Sequence, residues 1–454
     1  MMMMSRAAEV LHGELLGQDV MFSSVSKDTR TIKGGELYVA IKGANYDGHD
    51  FVGAANNAGA AGALVSEKQN VGLPQIYVND TRLALGELAA SWRQQFKGSV
   101  IGITGSNGKT TVKEMCSSIL NKAAGAEHVL ATRGNLNNDI GMPMTLLSLR
   151  KQHRYAVIEM GASHSGEIDY LARIASPDVA VITNAGPAHL EGFGSVENVA
   201  RAKAEIYGGL GEQGIAVINL DDEYSVYWRD VCKNRTVMSF SMQNKDADVF
   251  AEKSGSGVYV LHTPVGSSEI RQILPGSHNV MNALAATAAC LGLGIDLENI
   301  VAGLSDFSGV PGRLSISHLP GDVCLIDDSY NANPLSLAAA IEVVVGMGGE
   351  PWLVFGDMSE LGGDAKDLHF DIGRKARQAG IKRLFAVGRY SREAVEAFGQ
   401  GAEFFESRDE LINAIKSEMK SGVVILVKGS RVMEMERVVN ALHDDNKIIR
   451  QEII

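Results

Sequence analysis

Short apolar runs that end in polar residues, separated by stretches of helical spacing, recur along most of the chain. They fall at 37–41, 62–65 and 76–78, then at 100–103, 155–159, 179–183 and 215–219, and finally at 323–326, 352–355, 384–387 and 423–427. Such runs suit strands buried on both faces, and their alternation with helical segments predicts mostly parallel sheets covered by helices. Residues 81–96 place Leu83, Leu88, Ala89 and Trp92 broadly on one side of an amphipathic helix, and 334–345 and 367–379 read as helices between the last strands. Between Arg235 and Pro275 the texture changes to TVMSFSM and GVYVLHT, an alternation that predicts antiparallel strands added to the middle sheet.

The pattern divides into an α/β protein of three domains. A small N-terminal α/β substrate domain covers 1–82, a central P-loop ATPase-like domain with a mostly parallel sheet covers 83–312, and a C-terminal Rossmann-like domain covers 313–454. The PGR segment, Pro311 to Arg313, reads as the linker before the last, and a length of 454 residues suits three cores. No GxGxxG occupies the first βα turn of the third unit, so no dinucleotide site is expected there.

Composition narrows the partners. A net charge of −12 gives no general attraction to nucleic acid or an anionic membrane, which leaves small molecules as the expected partners. No run approaches 18 apolar residues and the N-terminus has no export signal, so neither membrane insertion nor secretion is expected. Cys116, Cys232, Cys290 and Cys324 lie far apart without a CxxC pair, as reduced thiols in a cytoplasm would.

The strongest chemical signal is TGSNGKTT, Thr104 to Thr111, between an apolar run and a helical stretch. Gly105, Ser106, Asn107 and Gly108 would form a turn whose N–H groups wrap phosphate oxygens, with Lys109 supplying charge and Thr110 and Thr111 hydroxyls for phosphate and Mg²⁺. Ile103 stands where the strict Walker pattern has its first glycine, which makes this a variant P-loop. Glu159 ends a neighbouring apolar run, where a carboxylate can reach a nucleotide-bound Mg²⁺. His189 follows another strand end, although a lone histidine is more often structural, and Lys203 sits on a helix where a lysine is ordinarily solvated. Asn279 and Asn282 share a helix face and suit either a base or a helix cap. Asp328, Tyr330, Asn331 and Asn333 crowd one strand end in the last unit, while Lys428, Ser430 and Arg431 end another and suit a carboxylate. In the first unit Asp28, Arg30, Lys42, Asp47 and His49 cluster around turns, as ligand groups or as a solvated surface.

These stretches together resemble the Mur ligases, ATP-dependent amide-forming enzymes of peptidoglycan precursor synthesis. TGSNGKTT, TNAGPAHLEGFGS, RAKAEI, HNVMNALAA, PGR and IDDSYNANP occur in that family's order and approximate spacing. TRGNLNNDIGMP, EMGASHSGEI and DDSYNANP are similar to the member that adds D-alanyl-D-alanine to UDP-N-acetylmuramoyl-tripeptide. The resemblance implies ATP and two Mg²⁺ ions as cofactors. Thr110 and Glu159 would ligate one ion, with Lys109 on the phosphates, and His189 and Lys203, the latter as a carbamate, would serve the second. It further implies Asn279 and Asn282 beside the adenine, and Arg313 and Asp328 against the nucleotide. The DTR, KG and DGH stretches, with Asp28, Thr29, Arg30, Lys42, Gly43, Asp47 and His49, would hold the UDP end, and Asn135 and Asn138 would lie near the tripeptide. A monomer is expected. Ala188 stands where several relatives have Asp before the histidine, and a DNPR stretch is missing from the third unit. Another Mur-type ligase, folylpolyglutamate synthetase, a P-loop NTPase switch or a binding scaffold with an inert loop are the competing readings.

Overall fold

A computed structural model describes residues 1–271 and 274–449. Three sheets carry the chain in order, beside a short pairing of Met2–Met3 with Met21–Phe22. The first has five strands, ordered Glu14–Leu16, Gln75–Tyr77, Gly62–Val65, Glu36–Val39 and Ser24–Ser26, parallel except for its first pair. The last has six, ordered Ser315–Leu319, Val323–Asp328, Val423–Lys428, Glu350–Gly356, Arg383–Val387 and Ala402–Phe405, again with one antiparallel edge pair.

The central sheet has nine strands, and its order decides where a ligand can sit. Ser99–Thr104 lies between Tyr155–Glu159 on one side and Val179–Ile182 on the other, parallel to both. The chain therefore leaves this strand first in one direction and later in the other, and the crevice at such a reversal opens beyond the strands' carboxyl ends. Ile103 is fully buried within this strand, level with Glu159 and Val181. The tight turn starts only at Gly105, so a glycine at position 103 has nothing to do here.

The expectation of antiparallel strands after Arg235 holds only in part. Thr236–Ser241 is parallel to Ile215–Asn219 and to Val249–Gly255, and only Val249–Gly255, Val258–Thr263 and Gly266–Arg271 form an antiparallel ribbon. Alternation reports that one face is exposed, not which way the strand runs.

Helices fix the units to one another. The helix Thr81–Gln94 starts on the Asp80 side chain, which accepts from Arg82 N and Leu83 N, a cap that satisfies two of its first free donors. It buries Leu85 and Leu88 in a core shared by the first unit and one face of the central sheet. Arg93, at its end, donates to the carbonyls of Ala175 and Ser176 at 2.9 Å each. On the other face, Val112, Cys116 and Ile119 of the helix Lys109–Ala124 pack against Ala283, Ala286 and Cys290 of the helix Ser277–Gly292. Small residues on that second helix let the two approach closely, and this sets the position of the P-loop's first turn. Among the described residues no helix is long and apolar enough to cross a membrane.

Candidate functional site

One cavity of about 1000 Å³ opens where the three sheets' helices meet, and the P-loop forms its floor. Gly108 caps the helix Lys109–Ala124 at φ +81°, and a Cβ there would collide with Asn282 Oδ1. The loop after the strand Val179–Ile182 clamps the turn from above: Thr183 Oγ1 donates to Asn107 O at 2.5 Å, and Asn184 Oδ1 accepts from Asn107 N at 3.0 Å. Lys109, Thr110 and Thr111 line the cavity in the first helical turn, where backbone N–H groups lack intrahelical acceptors. Gly108→Ala is expected to cost about 1–3 kcal/mol, from the strained φ and the displaced Asn282. Urea unfolding would measure that loss, and calorimetric titration should show weakened ADP binding.

Lys109 Nζ lies 2.6 Å from Gly105 O, and its pKa is lowered by burial despite the nearby Glu159 charge. Glu159 is buried, with Thr110 Oγ1 donating to its Oε2 at 2.9 Å and Asn137 Nδ2 to its Oε1 at 2.8 Å. Arg313 Nη2 donates to Thr110 Oγ1 at 2.9 Å across 203 positions of sequence, and its guanidinium sits 4.3 Å from the centre of the Tyr330 ring. Asn333 caps the helix Pro334–Gly346 and exchanges amide hydrogen bonds with Asn107 of the P-loop. The third unit thus touches the phosphate loop directly. The PGR segment is more than a linker, since Val310 and Arg313 form a β-bridge that fixes the arginine's entry.

His189 Nδ1 pairs with Glu360 Oε2 of the third unit at 2.5 Å. Lys203 is not solvated but 2% exposed, and its ammonium sits over the Phe193 ring without a hydrogen bond or ion pair among the described residues. Burial and the Lys109 charge draw its pKa down to about 7. Asn279 and Asn282 are both buried on the cavity wall and joined by a 3.2 Å hydrogen bond.

Other expected groups are already engaged. Lys428 forms a buried ion pair with Asp328 at 2.5 Å and also donates to Asn331 O, so its charge does not stand free for a substrate carboxylate. Ser430 Oγ lies 2.8 Å from Ser359 Oγ, and Arg431 pairs with Glu436 at 2.8 Å. Asn135 and Asn138 line the cavity. Asp28, Thr29, Arg30, Lys42, Gly43, Asp47 and His49 do not: Asp28 pairs with Arg30 at 2.6 Å, and buried His49 spends its ring nitrogens on Asp47 and Ser66 N.

Sequence reasoning missed Asn137, Asn184, His278 and Glu360, all on the cavity. Asn137 and Asn184 lie inside stretches already singled out, and their amides were the available signal. Burial lowers the His278 pKa to about 4, so it stands as a neutral imidazole beside Asn279. Among the described residues no three His, Cys, Asp or Glu side chains converge as a metal site.

The fold and this cleft are those of a three-unit P-loop ligase. The chain belongs to the Mur ligase family: a model of the family's catalytic domain matches residues 22–93, its middle domain 103–290, and its glutamate ligase domain 312–431. It is 44% identical, over 97% of its length and 98% of the relative's, to UDP-N-acetylmuramoyl-tripeptide–D-alanyl-D-alanine ligase of Escherichia coli. Two solved structures from Acinetobacter baumannii share its shape. The MurF structure has a TM-score of 0.90 at 39% identity. The UDP-N-acetylmuramoylalanyl-D-glutamyl-2,6-diaminopimelate–D-alanyl-D-alanyl ligase scores 0.86 at 38% identity. Each covers 97% of this chain and 98% of its own. MurF of Thermotoga maritima in complex with ADP scores 0.83 at 27% identity, covering 95% and 99%.

Proposed function

We propose that the chain uses ATP to join the amine of D-alanyl-D-alanine to the terminal carboxyl of UDP-N-acetylmuramoyl-tripeptide. The products are UDP-N-acetylmuramoyl-pentapeptide, ADP and phosphate, in peptidoglycan precursor synthesis. One observation carries this reading: a single cavity runs from the P-loop to the third unit in a chain that matches D-alanyl-D-alanine ligases from end to end.

A carboxylate does not accept an amine at neutral pH, so the terminal carboxyl first attacks the γ-phosphorus of ATP and becomes an acyl phosphate. Lys109 and the first-turn N–H groups hold the phosphates and offset charge as the phosphoryl group moves. Asn279 and Asn282 flank the adenine, and Arg313 carries the position of the third unit to Thr110. The dipeptide amine then attacks the acyl carbon, and collapse of the tetrahedral intermediate expels phosphate. Contacts of Asn333 with Asn107 and of Glu360 with His189 keep the third unit closed over the loop, which shields the acyl phosphate from water. Lys428 is buried against Asp328, whereas the ion pair of Arg431 with Glu436 is largely exposed, so Arg431 can exchange Glu436 for the dipeptide carboxylate, with the Ser359 and Ser430 hydroxyls beside it. The first unit holds the uridine end, and the closing swing turns on Gly309 to Arg313.

The residues fit Mg²⁺. The Thr110 hydroxyl and Glu159 carboxylate offer two hard oxygen donors 2.9 Å apart, and nucleotide phosphates complete such sites. When bound, the ion supplies charge that offsets the phosphoryl oxygens. For a second ion Lys203 fits only as a carbamate, whose oxygens would join His189. A buried amine with pKa near 7 is partly neutral and so able to take up CO₂. One chain builds the whole cavity, which suits a monomer, and its four free cysteines suit a reducing cytoplasm.

Phosphate release in omission assays tests the reading. Release should need ATP, the UDP-tripeptide and D-alanyl-D-alanine together. Equal release without the dipeptide would favour an NTPase switch.

A further inference from the structure

We propose that Glu360 is a positioning residue for His189: its carboxylate holds the hydrogen on Nδ1 and so frees the Nε2 lone pair for a divalent cation while the third unit is closed. This rests on the ligase reading above and on the second ion proposed with it. Glu360 follows the strand Glu350–Gly356 of the third unit, and His189 precedes the short helix Leu190–Phe193 of the middle one. Their side chains meet at 2.5 Å, Oε2 to Nδ1, and both residues line the shared cavity.

The backbone is shaped around this contact. His189 has φ +54° and Glu360 φ +63°, two of the seven non-glycine residues with positive φ among the described ones. L-residues avoid that left-handed region, and such strain persists where the surroundings hold it, most often at functional sites. Here Glu191 N donates to Glu360 O at 3.3 Å and Gly362 lies against Glu191, so the two loops are docked through their main chains as well.

A carboxylate can only accept, so at this distance the hydrogen lies on Nδ1, and a neutral imidazole then carries its lone pair on Nε2. No described residue hydrogen-bonds to that second nitrogen, and the other group near Nδ1, Ser163 Oγ, is 3.5 Å away. Metal-binding histidines are aimed in this way: the nitrogen away from the ion donates to a carboxylate, which fixes the tautomer and raises the basicity of the other. Ala188, next to the histidine, brings no carboxylate, and Glu159 is engaged by Thr110 and Asn137. The turn that begins at His189 ends at Phe193, whose ring centre lies 5.5 Å from Lys203 Nζ. Glu360 therefore steadies a segment that carries one proposed ligand and covers the other.

Because this carboxylate comes from the third unit, closure and ion binding are linked. Opening removes Glu360 from His189 and weakens the hold on the ion, and by reciprocity the ion favours closure by the same factor.

Mn²⁺ is the probe, since it takes the ligands of a Mg²⁺ site and its free concentration is read by paramagnetic resonance. With ADP and bicarbonate the wild type should bind two Mn²⁺ per chain. Glu360→Gln and Glu360→Ala should keep the first and weaken the second about 10–100-fold, alanine more than glutamine, because the amide still accepts from Nδ1 but carries no charge. Ring ¹⁵N resonances of the metal-free ADP complex, with His189 assigned by its loss in His189→Gln, should show the hydrogen on Nδ1 in the wild type and no longer fixed there in Glu360→Ala. Equal weakening of both ions would mean that Glu360 only ties the units together, and would overturn the proposal. So would a wild type that binds one Mn²⁺, a Glu360→Ala that binds two as tightly as the wild type, or a wild-type His189 with its hydrogen on Nε2. If one Glu360 variant does not fold, the other decides. Phosphate release independent of UDP-tripeptide and D-alanyl-D-alanine would instead overturn the ligase reading, and the Mn²⁺ titration, which contains neither, fails or holds separately.

Discussion

Replacing Lys109 by alanine is expected to lower kcat by about a thousandfold, roughly 4 kcal/mol of transition-state stabilisation, with a smaller change in KM for ATP. Its ammonium lies partly buried at the foot of the P-loop, 2.6 Å from Gly105 O, and desolvation lowers its pKa. A charge partly withdrawn from water acts more strongly on phosphoryl oxygens than it would in bulk solvent as negative charge shifts among them. The nearby Arg313 cannot replace it, because one guanidinium nitrogen is tied to Thr110 and the plane rests on Tyr330. Single-turnover phosphate release separates the two effects. A mutant with raised KM but unaltered kcat would show that Lys109 binds ground and transition states alike.

The second large effect concerns Lys203. Removing CO₂ from the buffer should cut activity roughly 10–100-fold, the range seen when a metal site loses support, and bicarbonate should restore it. Lys203→Ala should be equally impaired and indifferent to bicarbonate. Burial and the Lys109 charge hold this amine near 7, well below the usual 10.5. Between those values the unfolded chain binds more protons than the folded one, so this residue's contribution to stability rises as pH goes from 7 to 10.5 and falls on acidification. Carbamate formation removes that penalty by trapping the neutral nitrogen as an anion-bearing group. Bicarbonate should therefore raise the unfolding midpoint near pH 7 in the wild type alone. Activity insensitive to CO₂ in the wild type would contradict a carbamate.

The runs at 62–65 and 215–219 could be read to the residue, because strands buried on both faces are continuous apolar segments bounded by turns. Short edge strands such as Val129–Ala131, Ser315–Leu319 and Ala402–Phe405 escaped, since a half-exposed edge carries too little apolar signal. The P-loop was legible for a local reason: its phosphate chemistry lies within eight consecutive residues, Thr104 to Thr111. Pairs made by tertiary approach were not. His189 with Glu360, Asn107 with Asn333 and Arg82 with Asp139 join side chains far apart in sequence, and nothing local marks one partner for the other. Lys203 shows the same limit in another form. Its helix carries ordinary polar residues, and only the packing of Phe193 and the neighbouring loops makes that lysine a buried one. Lys428 shows it from the other side: a basic residue at a strand end suits a carboxylate, and the carboxylate it meets in the structure is the protein's own Asp328.

The claim that ATP drives amide formation through an acyl phosphate is tested most directly by mass spectrometry with UDP-tripeptide labelled with ¹⁸O in its terminal carboxyl, plus ATP and D-alanyl-D-alanine. The account predicts UDP-pentapeptide that has lost one labelled oxygen, and phosphate that has gained it. Phosphate released without pentapeptide, or pentapeptide accompanied by unlabelled phosphate, would contradict it.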